Sequence, residues 1–187
     1  MTILLLASKS PRRRQLLSAL DIPVRYIDID VDESLPLPMP PEKITETLAQ
    51  RKAESYQLPL QEGEVLVTAD TIVVHQGEVM GKPRDRAAAA GMLNRLSNDT
   101  HRVYTSACLR SLRSATHFTE CTDVHFRELS EEQITYYLDH YQYMDKAGAY
   151  GIQDWLGMVA VDRLVGDYYN VMGLPLSRLY HELQKVL

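Results

Sequence analysis

The chain has 187 residues, 45% of them hydrophobic and 24% charged, with a formal net charge of -5 at pH 7. That composition excludes a largely disordered chain, and the acidic balance works against a protein that grips nucleic acid through its general field. The length suits one domain over 1–187, two-lobed at most, and the two cysteines, Cys108 and Cys121, lack the histidine spacing of a zinc site.

Ile3 to Ala7 is an apolar run of buried-strand length that breaks into Ser8-Lys9-Ser10 before an arginine-rich segment. Ser10 is a favoured N-cap and Pro11 suits the first helical position, so a helix packing Leu16, Leu17 and Leu20 begins there. Its free backbone N–H groups and positive dipole end face a loop with two serine hydroxyls and up to three guanidinium groups. The first 62 residues contain no glycine, so neither a Walker loop nor a dinucleotide fingerprint fits, and any phosphate cradle here rests on hydroxyls and arginine. Residue types alone leave an anion site and a capped surface helix equally open. Ile3–Ala7 is too short for a signal-peptide core or a membrane span and no basic leader precedes it, so a cytoplasmic protein is expected.

Ile22 to Val31 alternates like a strand and ends in Asp30-Val31-Asp32-Glu33. A loop punctuated by Pro36, Pro38, Pro40 and Pro41 leads into a helix from about Glu42 to Tyr56. Ile44, Leu48, Lys52 and Tyr56 share one face of it, so Lys52 lies on the apolar stripe, where it either snorkels to solvent or reaches into a cleft. Val65 to Val74 is a core strand interrupted by Asp70, whose carboxylate either caps a turn or serves as a base or metal ligand. His75-Gln76-Gly77-Glu78 reads as a hairpin turn returning through Val79 and Met80 to Gly81-Lys82-Pro83, a stiff loop that presents Lys82.

A helix from about Arg86 to Leu96, capped near Asp85, precedes a hairpin of Arg102–Leu112 and His117–Arg127 turning at Ser114-Ala115. That turn sets Cys108 and Cys121 opposite each other, where a disulfide is conceivable but reduced, buried apolar cysteines are the expectation. Ser130 to Gln133 is a capping box opening a helix to about Tyr143. Asp145 to Gln153 has no clear period; its glycines admit close backbone approach, and Gln153 offers both a donor and an acceptor to a base edge. Met158–Val161 reads as a strand, Gly166–Asn170 as a turn, and Leu176, Leu179, Tyr180, Leu183 and Leu187 as one face of a final helix. The expected class is α/β with a mixed sheet and flanking helices.

Seven segments together resemble the Maf family of nucleotide pyrophosphatases. They are Leu6-Ala7-Ser8-x-Ser10-Pro11-Arg12-Arg13, Val31-Asp32-Glu33, Ala49-x-x-Lys52-Ala53, Ala69-Asp70-Thr71, Gly81-Lys82-Pro83, Asp145-Lys146-Ala147-Gly148-x-Tyr150-Gly151-Ile152-Gln153 and Asn170-Val171-x-Gly173-Leu174-Pro175. The resemblance implies a two-lobed fold with a cleft, related to inosine triphosphate pyrophosphatases, and hydrolysis of a nucleoside triphosphate between its α and β phosphates. It implies Asp70 as proton acceptor and Glu33 with Asp70 as ligands of a divalent cation, Mg²⁺ or Mn²⁺. Ser8, Ser10, Arg13, Lys52 and Lys82 would hold the triphosphate.

Arg12, Thr71 and Gln153, with Lys146, resemble the dTTP/UTP group of the family; the 7-methyl-GTP group tends to carry Trp, Gln and Glu at the first three. The resemblance further implies a homodimer; the acidic charge and the lack of a recognised binding motif argue against a nucleic-acid partner, and no apolar run suits a membrane partner. Asp154-Trp155-Leu156 departs from the glycine-containing segment found in many members. The rival reading is a nucleotide-binding regulator of cell division with little turnover; Glu33, Lys52, Asp70 and Lys82 together favour an enzyme.

Overall fold

Leu4, Leu5 and Leu6 are fully buried, so both faces are covered where they sit on β1 (Ile3–Ala7), a strand with a parallel neighbour on each edge. The protein is described from a computed structural model covering residues 2–35 and 39–187; Pro36 and Pro38 of the proline-punctuated loop lie outside the described residues. Helix α1 (Pro11–Ser18) opens where the sequence places it, with the Ser10 Oγ accepting from the Arg13 backbone N–H at 3.5 Å, and it buries Leu16 and Leu17.

The strand expected over Ile22–Val31 is only β2, Val24–Ile27. Its parallel register on β1 runs from Leu4↔Val24 to Ala7↔Ile27, and β1 ends at Ala7, so no partner backbone remains beyond Ile27. Helix α2 (Pro41–Ser55) buries Ile44, Leu48, Ala49 and Ala53. Strand β3 (Glu64–His75) pairs in parallel with β1 and then turns through Gln76-Gly77 into antiparallel β4 (Glu78–Met80). Helix α3 (Arg86–Leu96) is capped by the Asp85 carboxylate, which accepts from the Ala88 N–H at 2.7 Å.

Strands β5 (Thr100–Arg110) and β6 (Ala115–Phe126) form the expected hairpin, but the cysteines do not face each other. Arg102 pairs with Asp123 and Tyr104 bonds Cys121, which places Cys108 four positions further along β5. Both thiols are free; Cys108 is buried and Cys121 exposed. Helix α4 (Glu131–His140) carries the full capping box and stops about a turn early, where Tyr141 takes an extended conformation at φ -125°.

The strand expected at Met158–Val161 is instead mostly helix α5 (Trp155–Ala160), with strand β7 starting at Val161 and running to Val165. Leu156 and Ala160 are buried one helical turn apart while Met158 is 74% exposed, a period that a four-residue apolar run cannot reveal. The expected turn after Gly166 closes into a short helix, α6 (Tyr168–Met172). Helix α7 (Leu176–Val186) buries Leu176, Leu179, Leu183 and Val186, leaving Tyr180 and Leu187 exposed.

Among the described residues one seven-stranded mixed sheet runs in the order β2-β1-β3-β5-β6-β7, with β4 on β3. The chain forms two compact units. Unit 1 comprises Met1–Thr71, Thr105–Glu120 and Gly173–Leu187; unit 2 comprises Ile72–Tyr104 and Cys121–Met172. No helix among the described residues is long and apolar enough to cross a membrane.

Candidate active site

In unit 1 the turn between β1 and α1 is organised by its own polar groups. Ser8 Oγ accepts from the Ser10 N–H at 3.2 Å, and Ser10 Oγ caps α1. A hydroxyl that accepts one bond still has a proton to donate, so both serines keep a donor for an anion at the helix start. Arg14, to which the sequence assigns no role, braces this turn: its Nε donates to the Ser8 carbonyl at 3.1 Å, and its guanidinium lies over the Tyr26 ring at 4.8 Å.

Arg13 is desolvated and reaches different partners. Its Nε donates to Gly173 O at 2.8 Å, Nη1 to Ala69 O at 2.9 Å and Nη2 to Thr71 Oγ1 at 2.9 Å. Two of those acceptors flank Asp70. Three of the five N–H groups of the fork therefore brace the site, and the remainder is what Arg13 can offer a phosphate. Burial lowers its pKa, opposed by the charge of Asp70; Arg12 lowers it further and Glu33 raises it, so these charges share one neighbourhood. The Thr71 hydroxyl, held by Arg13, lies 2.9 Å from Thr105 Oγ1.

Lys52 does not snorkel. Its Nζ lies 2.7 Å from Asp70 Oδ1 and 2.7 Å from Glu33 Oε1, bridging a carboxylate on β3 and one from the loop after β2. The Lys52 and Asp70 side chains are each 13% exposed, whereas Glu33 is 58% exposed and closes the pair from the solvent side. The apolar stripe of α2 thus delivers the ammonium to the interruption in β3 that the sequence singled out.

Unit 2 holds the other two expected site residues. Lys82 is exposed on the loop between β4 and α3, whose Gly81 carbonyl accepts from the Gly148 N–H at 3.1 Å. Gly148 has φ 70°, and a Cβ there would meet Val73 Cγ1 at 3.3 Å, so both the conformation and the space call for glycine. This ties the Lys82 loop to the segment that leads to Gln153. The Gln153 Nε2 donates to Asp154 Oδ1 at 3.1 Å, and Asp154 Oδ2 accepts from the Tyr137 hydroxyl at 3.0 Å. Lys146, itself buried, adds its ammonium 3.7 Å from Asp154 Oδ2. Trp155 packs edge-on against Tyr136 with ring centroids 4.8 Å apart.

Of the ten expected site residues, eight lie in unit 1: Ser8, Ser10, Arg12, Arg13, Glu33, Lys52, Asp70 and Thr71. There the structure joins Glu33, Lys52 and Asp70 by ion pairs and Arg13 to Thr71 by a hydrogen bond. Lys82 and Gln153 belong to unit 2. Sequence reasoning missed Thr105, the Gly173 carbonyl and Tyr137 as supports. The first sits in a scaffold hairpin, the second acts through backbone, and Tyr137 reads as one more buried helix residue.

The model of the family described as "Maf-like protein" matches residues 3–186. A dTTP/UTP pyrophosphatase of Bacteroides thetaiotaomicron is 48% identical over 185 residues, covering 98% of this chain and 95% of that protein. A dTTP/UTP pyrophosphatase of Porphyromonas gingivalis is 46% identical over 185 residues, covering 97% and 92%. Among solved structures, the Staphylococcus aureus Ham1 protein superposes with a TM-score of 0.55 at 14% identity, over 98% of this chain and 99% of that one, and so shares the fold. On the near-complete span of the family match and the identity to these relatives, the chain belongs to the Maf-like protein family.

Proposed function

We propose that the protein is a nucleoside triphosphate pyrophosphatase that hydrolyses dTTP and UTP to the monophosphate and pyrophosphate. The observation that carries this reading is the pair of carboxylates, Glu33 and Asp70, gathered on one lysine beside an arginine-braced strand. The names of the 46–48% identical relatives support the choice of substrates.

The same carboxylates fit a divalent cation, Mg²⁺ or Mn²⁺. Each already places an oxygen 2.7 Å from a single positive centre, the Lys52 ammonium, and hard oxygen donors suit such ions. No cluster of three or more His, Cys, Asp or Glu side chains able to hold a metal occurs among the described residues, so in this proposal the two carboxylates would share the ion with substrate phosphates. When bound, the ion would neutralise charge on the triphosphate.

Asp70 takes the proton of the attacking water at its carboxylate as the new P–O bond forms and the bond to the leaving pyrophosphate breaks. Lys52 exchanges its carboxylate partners for phosphate when substrate arrives, which frees Asp70 for that role. Ser8, Ser10 and Lys82 donate to phosphate oxygens, with Arg13 adding its remaining donors, while Arg12, Thr71 and Gln153 act on base choice. A cytoplasmic location and a homodimer, with no nucleic-acid or membrane partner, complete the proposal.

The test is incubation with dTTP, UTP, CTP and 7-methyl-GTP plus Mn²⁺, with products separated by chromatography. Monophosphate and pyrophosphate from dTTP and UTP are expected. Release of orthophosphate with the nucleoside diphosphate would overturn the reading, and tight binding without turnover would favour a nucleotide-binding regulator.

A further inference from the structure

We propose that Asp154 is a positioning residue that locks the Gln153 amide with its carbonyl oxygen free for the base, so that the site selects rings bearing an N3–H, uracil and thymine, over cytosine. The inference rests on the pyrimidine nucleotide pyrophosphatase reading and adds to it the group that enforces the choice.

An ionised carboxylate only accepts hydrogen bonds, so the end of the Gln153 amide that faces Asp154 Oδ1 at 3.1 Å has to be Nε2. The opposite end, Oε1, is buried and has no hydrogen-bond partner in the protein. Leaving such an acceptor empty is costly, and a ligand that donates to it recovers that cost. The N3–H of a uracil or thymine ring is a donor of the right kind.

Asp154 is itself held so that it cannot turn away. Tyr137 accepts from the Gly151 N–H at 3.2 Å, which directs its own proton to Asp154 Oδ2 at 3.0 Å. Burial first, and the Asp154 charge second, raise the Tyr137 pKa, so it stays a donor. Lys146 balances the carboxylate and is anchored by the Gln142 carbonyl and by Asp145 Oδ1 at 3.1 Å. Gly151 completes the arrangement by absence: a Cβ there would lie 2.6 Å from Asp154 Oδ2 and 2.7 Å from Gln153 Nε2, so the pair forms only over a glycine.

A cytosine in the same seat presents an acceptor at position 3 and calls for a reversed amide. Reversal would turn the Gln153 oxygen onto the Asp154 carboxylate, two acceptors face to face. A glutamine alone reads both rings by flipping; a glutamine beside this aspartate reads one.

Two measurements test the idea. On the unmodified protein, 3-methyl-UTP, which lacks the N3–H, should lose roughly tenfold or more in kcat/KM against UTP, the scale of one unmade bond to a buried acceptor. Equal rates would overturn the role of the Gln153 oxygen. Asp154→Asn, which can present either a donor or an acceptor, should lower the UTP-to-CTP ratio of kcat/KM by about tenfold, while Asp154→Glu keeps it within about threefold. An unchanged ratio in Asp154→Asn, or no preference for UTP over CTP in the unmodified protein, overturns the inference while leaving the pyrophosphatase reading intact. No turnover of any pyrimidine triphosphate removes both.

Discussion

Lys52 Nζ stands 2.7 Å from Asp70 Oδ1, so the carboxylate assigned to accept a proton from water is held, before substrate arrives, by an ammonium as shielded from solvent as itself. That relationship makes two residues of different elements, α2 and β3, answer to one another. Asp70→Asn keeps the shape and removes the base. We expect kcat for dTTP to fall by roughly 10² to 10⁴-fold with the far-UV spectrum unchanged. A rate equal to that of the unmodified protein would take Asp70 out of the chemistry.

Lys52→Met leaves Glu33 and Asp70 without their common partner. Breaking a shielded ion pair by deleting one side costs about 3 kcal/mol, reduced here by the solvent that reaches Glu33. The variant should melt at lower temperature in chelator, and Mn²⁺ should raise its midpoint more than it raises that of the unmodified protein. Equal shifts in both would mean that the two carboxylates do not share a cation.

Arg13→Lys conserves charge but not geometry. One ammonium cannot reach Gly173 O, Ala69 O and Thr71 Oγ1 together, as the planar fork does. A loss of about 2 kcal/mol in urea unfolding is expected, with a fall in kcat larger than any rise in KM because the backbone flanking Asp70 loosens. A variant that raises KM alone would show that Arg13 serves only to bind phosphate.

Acid should weaken unit 2 through His101. Its ring packs edge-on against Phe126 and Tyr150, with Nε2 at 2.6 Å from the Tyr150 hydroxyl, and burial pushes its pKa from 6.5 to about 3. The charges of His75 and His125 lower it further and Asp99 opposes them. Below pH 6.5 the unfolded chain binds a proton that the folded chain refuses, so stability is complete above 6.5 and falls as the pH drops toward 3. By pH 5 the loss is about 2 kcal/mol, and His101→Gln should flatten the slope in urea titrations. Asp99, held at about 2 chiefly by the Thr100 N–H, loses its contribution only below its ordinary value of 3.8, outside the comparison of pH 7.5 with pH 5. Equal urea midpoints at pH 7.5 and 5 would contradict a neutral, buried His101.

Much of the local architecture follows from nearest neighbours along the chain. Ser10-Pro11 starts α1, Asp85 starts α3 and the Ser130–Gln133 box starts α4, because caps and first turns are satisfied by residues within three positions. The same locality misleads where the run is short. Met158–Val161 has the composition of a strand, and only the burial of Leu156 and Ala160 within the folded chain makes it the end of a helix. The alternation that suggested ten residues of strand after Ile22 ends at Ile27 because the neighbouring strand ends there, a fact about another part of the chain.

The residues to which the chemistry is assigned stand out within their own segments: Asp70 interrupts an apolar strand, Lys52 lies on an apolar helix face, and serines and arginines gather at a helix start. What those residues do to one another is set by the folded chain. Charges are costly to bury alone, so Lys52 finds Asp70 and Glu33 across elements that no local rule connects, Arg13 turns from the anion site to brace the strand bearing Asp70, and Asp154 meets Gln153 over a glycine. Pairing at long sequence separation is set by sheet register and helix packing, and those are properties of the folded chain as a whole.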